Sequence, residues 1–289
     1  MLSEALKTAD WSSAPQEMEF QCSYRELLES IFSDSALLRR AWEQQGSYSA
    51  EDIQKAIRLY IRTPGIVNVM LNYKICVEHG LPLHPSVYYE LKEARKYKID
   101  HGLPVVENAN RLYRQSMLLA REVLALDNQT LTHGTEFLAR LPRDIKSFIY
   151  TGIRDTYTWK GSEPAILQRL AEKLRKDYDP EIIIAAAHGA IMPALLLAEL
   201  LKKPLYCIRF SMFKRHDEEP IISFSDKAWL SEFSSRRAIL YDEDVAGGRT
   251  LDLFARRLAP LFSQTKTACS IRHAGSSIRP DFVGLTWWD

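Results

Sequence analysis

The spacing of the apolar residues changes near Lys146, and this change constrains the fold more than any other feature of the chain. From about Cys22 to Lys146 the apolar residues recur at helical intervals. Beyond Lys146, short apolar runs alternate with amphipathic stretches, which is typical of a mostly parallel sheet with flanking helices. We therefore predict an all-helical domain over residues 1–145, whose role is open, and an α/β domain over residues 146–289.

Helix start and stop signals support the helical prediction for the first domain. Ser23 and Glu26 have the spacing of a capping box, in which each side chain satisfies a backbone N–H of the other residue. The tetrapeptide His-Gly-Leu-Pro occurs at 79–82 and at 101–104, and Gly followed by Pro is typical of a helix end. The histidines of this half do not pair at metal-ligand spacing on one helix face, so we interpret them as cap or surface residues.

Charge and cysteine content exclude several classes of protein. Lys and Arg number 38 against 37 Asp and Glu, so the chain has no broad basic field for nucleic acid, and any anionic ligand is held locally. The four cysteines form no C-x-x-C pair, and Glu4, Lys7 and Asp10 interrupt the first residues where a signal peptide would be apolar. We expect a cytoplasmic protein, and a homo-oligomer is one assembly that the sequence leaves open.

The segment 182–201 is apolar and long enough to span a membrane. However, it contains His188, Gly189 and Pro193, and it divides into a short β-branched run and a Leu-rich helix. A buried strand of a parallel sheet also has a continuous apolar run. We therefore predict a strand over 182–187 and no membrane partner.

Ligands of an open parallel sheet bind beyond the carboxyl ends of its strands. We therefore expect the ligand site in the loops that follow three predicted strands, at 182–187, 205–210 and 238–241. After the third strand come Asp242 and Glu243, whose carboxylates can accept hydrogen bonds from two ribose hydroxyls. This acid pair is the first candidate for a functional site.

A short loop after the acids suits a phosphate group. Its glycines allow backbone N–H groups to approach an anion, its threonine adds a hydroxyl, and the helix that begins there directs its positive end to the same point. The predicted phosphate-binding residues are Ala246, Gly247, Gly248, Arg249 and Thr250.

The segment 238–251, an apolar strand followed by acids and small residues ending in Gly-x-Thr, resembles the signature of type I phosphoribosyltransferases that binds PRPP, 5-phosphoribosyl 1-pyrophosphate. The resemblance covers roughly residues 146–289 and implies a mostly parallel, Rossmann-like phosphoribosyltransferase sheet with flanking helices. It also implies that Asp242 and Glu243 take part in catalysis. Mg²⁺ is the implied cofactor, held mainly by PRPP and water, with the same two carboxylates as candidate ligands.

Three residues depart from the pattern of that family. Asp244 stands where the family usually has an apolar residue, so the acid pair could instead be Glu243 and Asp244. Gly247 replaces a Thr that many members have. Ala246 replaces an Asp thought to act as a base on the purine in the hypoxanthine-guanine branch, so the acceptor stays open.

The loop after the first predicted strand is similar to the pyrophosphate loop of the family, which commonly contains Ala-Arg-Gly-Gly. Here the loop consists of Ala187, His188, Gly189 and Ala190. The alternative is a core strand that turns into a helix and carries an incidental histidine. In a pyrophosphate loop, His188 could donate to a diphosphate oxygen with a charge that depends on pH.

Residues 211–220 lie where the family has a flexible loop that closes over the reacting centre and excludes water. Lys214 and Arg215 are the candidates to contact the departing pyrophosphate, and we predict a catalytic role for both. A solvated charged hairpin is the alternative.

The segment 279–284, Arg-Pro-Asp-Phe-Val-Gly, resembles a segment near the carboxy terminus of purine 6-oxo phosphoribosyltransferases. By this resemblance Arg272 is a candidate to read the purine 6-oxygen, and Trp287 and Trp288 are candidates to stack on the base. The alternative is a hydrophobic plug formed by the two tryptophans.

The resemblance therefore predicts an enzyme in which Mg-PRPP loses pyrophosphate as a nitrogen acceptor, a purine-like base, attacks C1. The alternative is a non-catalytic sensor that binds PRPP or a nucleotide and signals through the helical domain. The altered pyrophosphate loop and the short segment available to cover the base favour that alternative. Fold alone does not establish activity, because function depends on the site.

Overall fold

The computed structural model describes residues 2–84, 89–212 and 216–288. The chain divides into two compact units, the first of residues 1–10 and 15–154, and the second of residues 11–14 and 155–289. The predicted fold class is confirmed, because the first unit is helical apart from a two-stranded ribbon and the second has a parallel sheet with flanking helices. Among the described helices, none combines the length and the apolar character that a membrane crossing requires.

Helices make up most of the first unit. In chain order they are α1 (Leu2–Leu6), α2 (Tyr24–Gln45), α3 (Ala50–Arg62), α4 (Pro64–Glu78), α5 (Ala94–Tyr97), α6 (Leu103–Ala125), α7 (Thr130–Arg140) and α8 (Arg143–Lys146). Strands β1 (Phe20–Ser23) and β2 (Ile149–Gly152) form the antiparallel ribbon. Periodicity did not predict the ribbon, because four-residue strands are too short to show an alternating pattern.

The capping-box prediction in this unit is confirmed, whereas the two His-Gly-Leu-Pro copies differ in their positions relative to helices. The capping box at the start of α2 is confirmed, with the Glu26 N–H donating to Ser23 Oγ at 3.2 Å and the Ser23 N–H donating to Glu26 Oε2 at 2.8 Å. The first His-Gly-Leu-Pro ends α4, and its Gly80 has a φ of +65°. The prediction that the second copy also ends a helix is wrong. Gly102 begins α6, because Pro104 lies in the first helical turn, where it needs no N–H partner.

The second unit alternates strands and helices. Its helices are α9 (Thr156–Gly161), α10 (Pro164–Asp177), α11 (Ile191–Leu201), α12 (Phe224–Ser231) and α13 (Arg249–Leu258). Its strands are β3 (Ile182–Ala187), β4 (Leu205–Arg209), β5 (Arg237–Val245), β6 (Gln264–His273) and β7 (Phe282–Trp287). They form a five-stranded parallel sheet in the order β4-β3-β5-β6-β7. Every residue of β3 and β4 is buried, as expected for strands covered on both faces.

The order of the strands creates one point at which the connections change direction. From β3 the chain crosses through α11 to β4 on one side, and from β5 it crosses through α13 to β6 on the other side. The carboxyl ends of β3 and β5 are therefore adjacent, and the connections that leave them run in opposite directions. In open α/β sheets a ligand crevice forms at such a switch point.

The second unit also includes Trp11–Ala14. The ring of Trp11 stacks on Trp159 with centroids 4.1 Å apart, and Trp159 is only 1% exposed. We predict that a fragment of residues 155–289 keeps its α/β structure by circular dichroism and proton NMR. Its melting temperature is expected to be lowered, because an aromatic pair contributes about 1 kcal/mol beyond its buried area.

The variant Trp11→Ala in the full-length chain is the matched control for that fragment. It removes the same ring contact while every other residue stays in place. A fragment that is unfolded while Trp11→Ala is folded would show that the α/β unit needs the first unit and is not a separable domain.

Candidate functional site

The acid pair lies on β5, the strand between β3 and β6. The prediction that this strand ends at Tyr241 is wrong, since pairing with β6 continues through Asp242 opposite Cys269 and Asp244 opposite Ile271. Asp242 is 5% exposed and Glu243 is half-buried. The backbone N–H of Glu243 donates to Asp242 Oδ1 at 3.1 Å, which fixes one carboxylate against the strand.

Burial and mutual repulsion perturb both carboxyl groups. Burial raises the pKa of Asp242, although a hydrogen bond from Glu243 lowers it. Burial, together with the negative charge of Asp242, raises the pKa of Glu243 well above its usual value. A buried acid and a half-buried acid that repel each other cost folding free energy, and such pairs concentrate at functional sites. Hydroxyl groups of a ligand would supply hydrogen bonds that favour the ionised pair.

The third acid of the strand has a different environment. The ring of His273 donates from Nε2 to Asp244 Oδ1 at 2.9 Å, and the two side chains are 12% and 16% exposed respectively. His273 ends β6, so the contact joins neighbouring strands. Because Asp244 is engaged by a histidine, we propose Asp242 and Glu243 as the ribose pair.

Glycines on two neighbouring segments make room for Glu243. A Cβ atom on Gly189, in the loop between β3 and α11, would overlap the Glu243 carboxyl group. A Cβ atom on Gly161, at the end of α9, would lie 3.2 Å from the Glu243 backbone oxygen. The predicted pyrophosphate loop and the acid pair are thus in direct contact, as their positions at the switch point require. The loop contains His188, which is half-buried and follows a cis peptide bond.

The turn between β5 and α13 contains the predicted phosphate residues. Gly248 has a φ of +78°, and a Cβ atom there would overlap Ile278. A Cβ atom on Gly247 would meet nothing within 4 Å, so the space beside this residue is open. The helix begins at Arg249, and the first N–H groups of any helix have no partner within it. The turn therefore lies where the first N–H groups of α13 adjoin the open space beside Gly247, and Ala246, Arg249 and Thr250 flank its two glycines.

This difference between adjacent glycines predicts opposite effects of the same substitution. Gly248→Ala is expected to destabilise the protein by about 1–2 kcal/mol, the cost of a side chain in the left-handed region, and the overlap with Ile278 adds to it. Gly247→Ala is expected to change stability by less than about 0.5 kcal/mol and to weaken PRPP binding. Urea unfolding and calorimetry measure the two properties. A Gly247→Ala variant that binds PRPP as the wild type does would show that the anion lies elsewhere.

The loop after β4 is anchored by a buried ion pair that sequence reasoning missed. The Arg209 guanidinium donates to both carboxylate oxygens of Asp217, at 3.3 and 3.0 Å, and their side chains are 0% and 6% exposed. The Thr250 hydroxyl lies 3.8 Å from Met212 Sδ, so this loop also contacts the phosphate turn. The sequence signal for this ion pair was Arg209 itself, an arginine within an otherwise apolar strand. Lys214 and Arg215, predicted to be catalytic, lie outside the described residues.

The predicted base-binding residues lie on two neighbouring strands. Arg272 is on β6, Trp287 is the last residue of β7, and Trp288 follows it. The Arg272 guanidinium donates to the backbone oxygens of Ile278 and Ser276 at 3.0 and 2.6 Å, so it holds the β6–β7 connection. Trp287 is half-buried, whereas Trp288 is 79% exposed. Their roles toward a base stay predictions.

Tyr157 of α9 was not predicted as part of the site. Its ring lies 6.0 Å from that of Trp287 and 5.7 Å from that of His273, measured between centroids. The three side chains come from α9, β6 and β7, so only the folded sheet brings them together.

The described residues include no cluster of three or more His, Cys, Asp or Glu side chains that could hold a metal ion. The two adjacent carboxylates of Asp242 and Glu243 are hard oxygen donors, which suit Mg²⁺ when a substrate and water supply its remaining ligands. The acid pair therefore matches the ligand preference of Mg²⁺.

The strand order brings the acid pair of β5 and the glycine turn before α13 to the carboxyl edge of the parallel sheet. No model of a known protein family matches the chain, and no curated protein matches it. Among solved structures, it is similar to a purine phosphoribosyltransferase from Pyrococcus horikoshii, with 26% identity over 42% of this chain and 80% of that one, and a TM-score of 0.35.

Two further solved structures are similar to this chain. A hypothetical protein from Neisseria gonorrhoeae with bound ppGpp has 22% identity over 43% of this chain and 79% of that one, with a TM-score of 0.36. The xanthine-guanine-hypoxanthine phosphoribosyltransferase of Helicobacter pylori has 16% identity over 42% and 78%, with a TM-score of 0.33. All three similarities cover less than half of this chain.

Proposed function

We propose that the second unit is a phosphoribosyltransferase that binds Mg-PRPP and transfers its 5-phosphoribosyl group to a nitrogen of a purine-like base. The observation that carries this proposal is the contact between Glu243 and Gly189. Through this contact Glu243, which follows Asp242 on β5, lies beside the loop after β3. The contact supports a single ligand that carries a ribose, a diphosphate and a phosphate.

Different residues of the site bind different groups of PRPP. Asp242 and Glu243 accept hydrogen bonds from the ribose hydroxyls, and the N–H groups of Gly247–Thr250 at the start of α13 hold the 5-phosphate. The loop 187–190 holds the diphosphate, with His188 as a donor. Lys214 and Arg215 are proposed to contact the same diphosphate.

Transfer forms one bond and breaks another. The acceptor nitrogen attacks C1 of the ribose as the bond from C1 to the diphosphate oxygen breaks, and pyrophosphate leaves with the electron pair. The proton of the acceptor nitrogen passes to the leaving pyrophosphate or to water. While one bond breaks and the other forms, positive charge develops on the ribose, and the adjacent carboxylates stabilise that charge. Mg²⁺, when bound with PRPP, offsets negative charge on the leaving diphosphate.

Release of pyrophosphate tests the proposal. The full-length protein with Mg-PRPP is expected to release pyrophosphate when hypoxanthine, guanine, xanthine or adenine is added, and not in their absence. PRPP binding without release for any base would favour the alternative, a sensor that binds PRPP or a nucleotide. A protein that does not bind PRPP would contradict both functions.

A further inference from the structure

An Asp–His pair and two aromatic rings lie together at the carboxyl edge of the sheet, beside the acid pair. Asp244 follows Asp242 by two residues on β5, so the two side chains point to the same face of the sheet, about 7 Å apart along the strand. His273 is paired with Trp287 in the register of β6 and β7. All of these residues belong to the second unit.

The aromatic side chains offer surface to a flat ligand. The rings of His273 and Trp287 are 5.6 Å apart and inclined at 38°, and Tyr157 is inclined to Trp287 at 58°. Tyr157 is 51% exposed, so much of its ring remains open to a ligand. An exposed ring that is tilted against a second ring suits the face and edge of a planar heterocycle.

The carboxylate of Asp244 offers hydrogen-bond acceptors next to these rings. A carboxylate has about four acceptor positions on its two oxygens, and the Asp244 side chain is 16% exposed, so a ligand can reach it. The bond from His273 also fixes the direction of the carboxylate. A mostly buried acid of this kind favours a ligand that donates N–H groups, and it disfavours one that presents a carbonyl or an apolar edge.

We propose that Asp244, Tyr157, His273 and Trp287 form the acceptor site and that the acceptor is a planar base with an exocyclic amino group, which donates to Asp244. This inference rests on the proposed function. In it, Asp244 and the aromatic rings contact the base, whereas His273 is also a positioning residue that acts through Asp244.

Two pairs of bases isolate the amino group. Guanine differs from hypoxanthine, and adenine from purine, by one amino group in each case. We expect the wild type to prefer the amino-bearing member of at least one pair by about tenfold or more in kcat/KM, as sites built around a substrate N–H group do. The same bases, titrated by calorimetry into the protein with Mg-PRPP, are expected to show the same preference in Kd.

Variants of Asp244 and His273 distinguish recognition of the base from a purely structural role of these two residues. Asp244→Asn replaces one acceptor oxygen by an NH2 donor and removes the negative charge. It is expected to reduce the preference to less than about threefold, with PRPP affinity unchanged within about twofold. His273→Gln is expected to raise KM for the amino-bearing base more than it lowers kcat. His133→Gln is the matched control, because it breaks a His–carboxylate contact of the same 2.9 Å length, to Glu122 in the first unit.

The outcomes distinguish this inference from the proposed function. A wild type that does not bind PRPP contradicts the function itself. Intact PRPP binding with no base bound, with no preference in either pair, or with a preference that Asp244→Asn retains, overturns the acceptor site and leaves the PRPP site standing.

Discussion

The double variant Asp242→Asn, Glu243→Gln is expected to lose PRPP binding and to melt at a higher temperature than the wild type at neutral pH. Each carboxylate is proposed to accept a hydrogen bond from a ribose hydroxyl, and hydrogen bonds to charged groups contribute about 1.5–3 kcal/mol. Loss of both is expected to weaken PRPP binding by about a hundredfold or more. Calorimetric titration measures the loss.

The rise in stability follows from the direction of the pKa shifts. Both groups have a folded pKa above the unfolded values of 3.8 and 4.5. Their contribution to stability is therefore fully present below those unfolded values and is lost as pH rises through the folded pKa values. The neutral Asn and Gln side chains do not titrate and so remove this loss of stability. A difference of one pKa unit between the folded and unfolded states corresponds to about 1.4 kcal/mol. The gain in melting temperature is expected to be large at about pH 7.5 and small at about pH 4.5.

A control for this variant neutralises two exposed acids on α10. Glu172→Gln with Asp177→Asn makes the same change in net charge on the surface of the same unit. It is expected to bind PRPP as the wild type does and to show no gain in stability that depends on pH in this way. A double variant at Asp242 and Glu243 that is less stable than the wild type at neutral pH would show that the two acids are structural.

Gly189→Ala is expected to weaken PRPP binding while leaving the fold intact. The added methyl group would overlap the carboxyl group of Glu243, which is the far end of a side chain and can rotate away. The ribose acid would then point elsewhere. We expect PRPP affinity to fall by at least about tenfold, or about 1.4 kcal/mol, and the melting temperature to change by less than about 2 °C.

A second substitution tests the cause of that loss. Shortening the acid, in the double variant Gly189→Ala, Glu243→Asp, is expected to restore part of the affinity, because the overlap is removed while a carboxylate remains. Gly275→Ala is the control, since a Cβ atom at Gly275 meets nothing within 4 Å. Unchanged PRPP affinity in Gly189→Ala would separate the loop after β3 from the ribose acids.

The order of strands and helices in the second unit was predictable because its strands are buried on both faces. Continuous apolar runs such as 182–187 carry that information locally. The extension of β5 through Val245 was not predictable, since three acids in succession are typical of a loop and only pairing with β6 makes them part of a strand. The reversed role of Gly102 also depended on context, because Gly and Pro occur at both ends of helices.

Within the site, the sequence predicted side chains that share one local segment and missed contacts between segments. Asp242 and Glu243 are adjacent in the chain, so their pairing was visible. The contact of His273 with Asp244 and that of Arg209 with Asp217 join residues whose spacing in sequence carries no signal. The proximity of Tyr157 to Trp287 likewise depends on how α9 packs in the second unit.

Calorimetric titration of Mg-PRPP into the full-length protein tests the central claim most directly, with the double variant Asp242→Asn, Glu243→Gln titrated alongside. Binding to a single site in the wild type is predicted, together with an affinity at least about a hundredfold weaker in the folded variant. Equal affinity in the two proteins, or no binding to the wild type, would contradict the claim that this acid pair holds the ribose of PRPP.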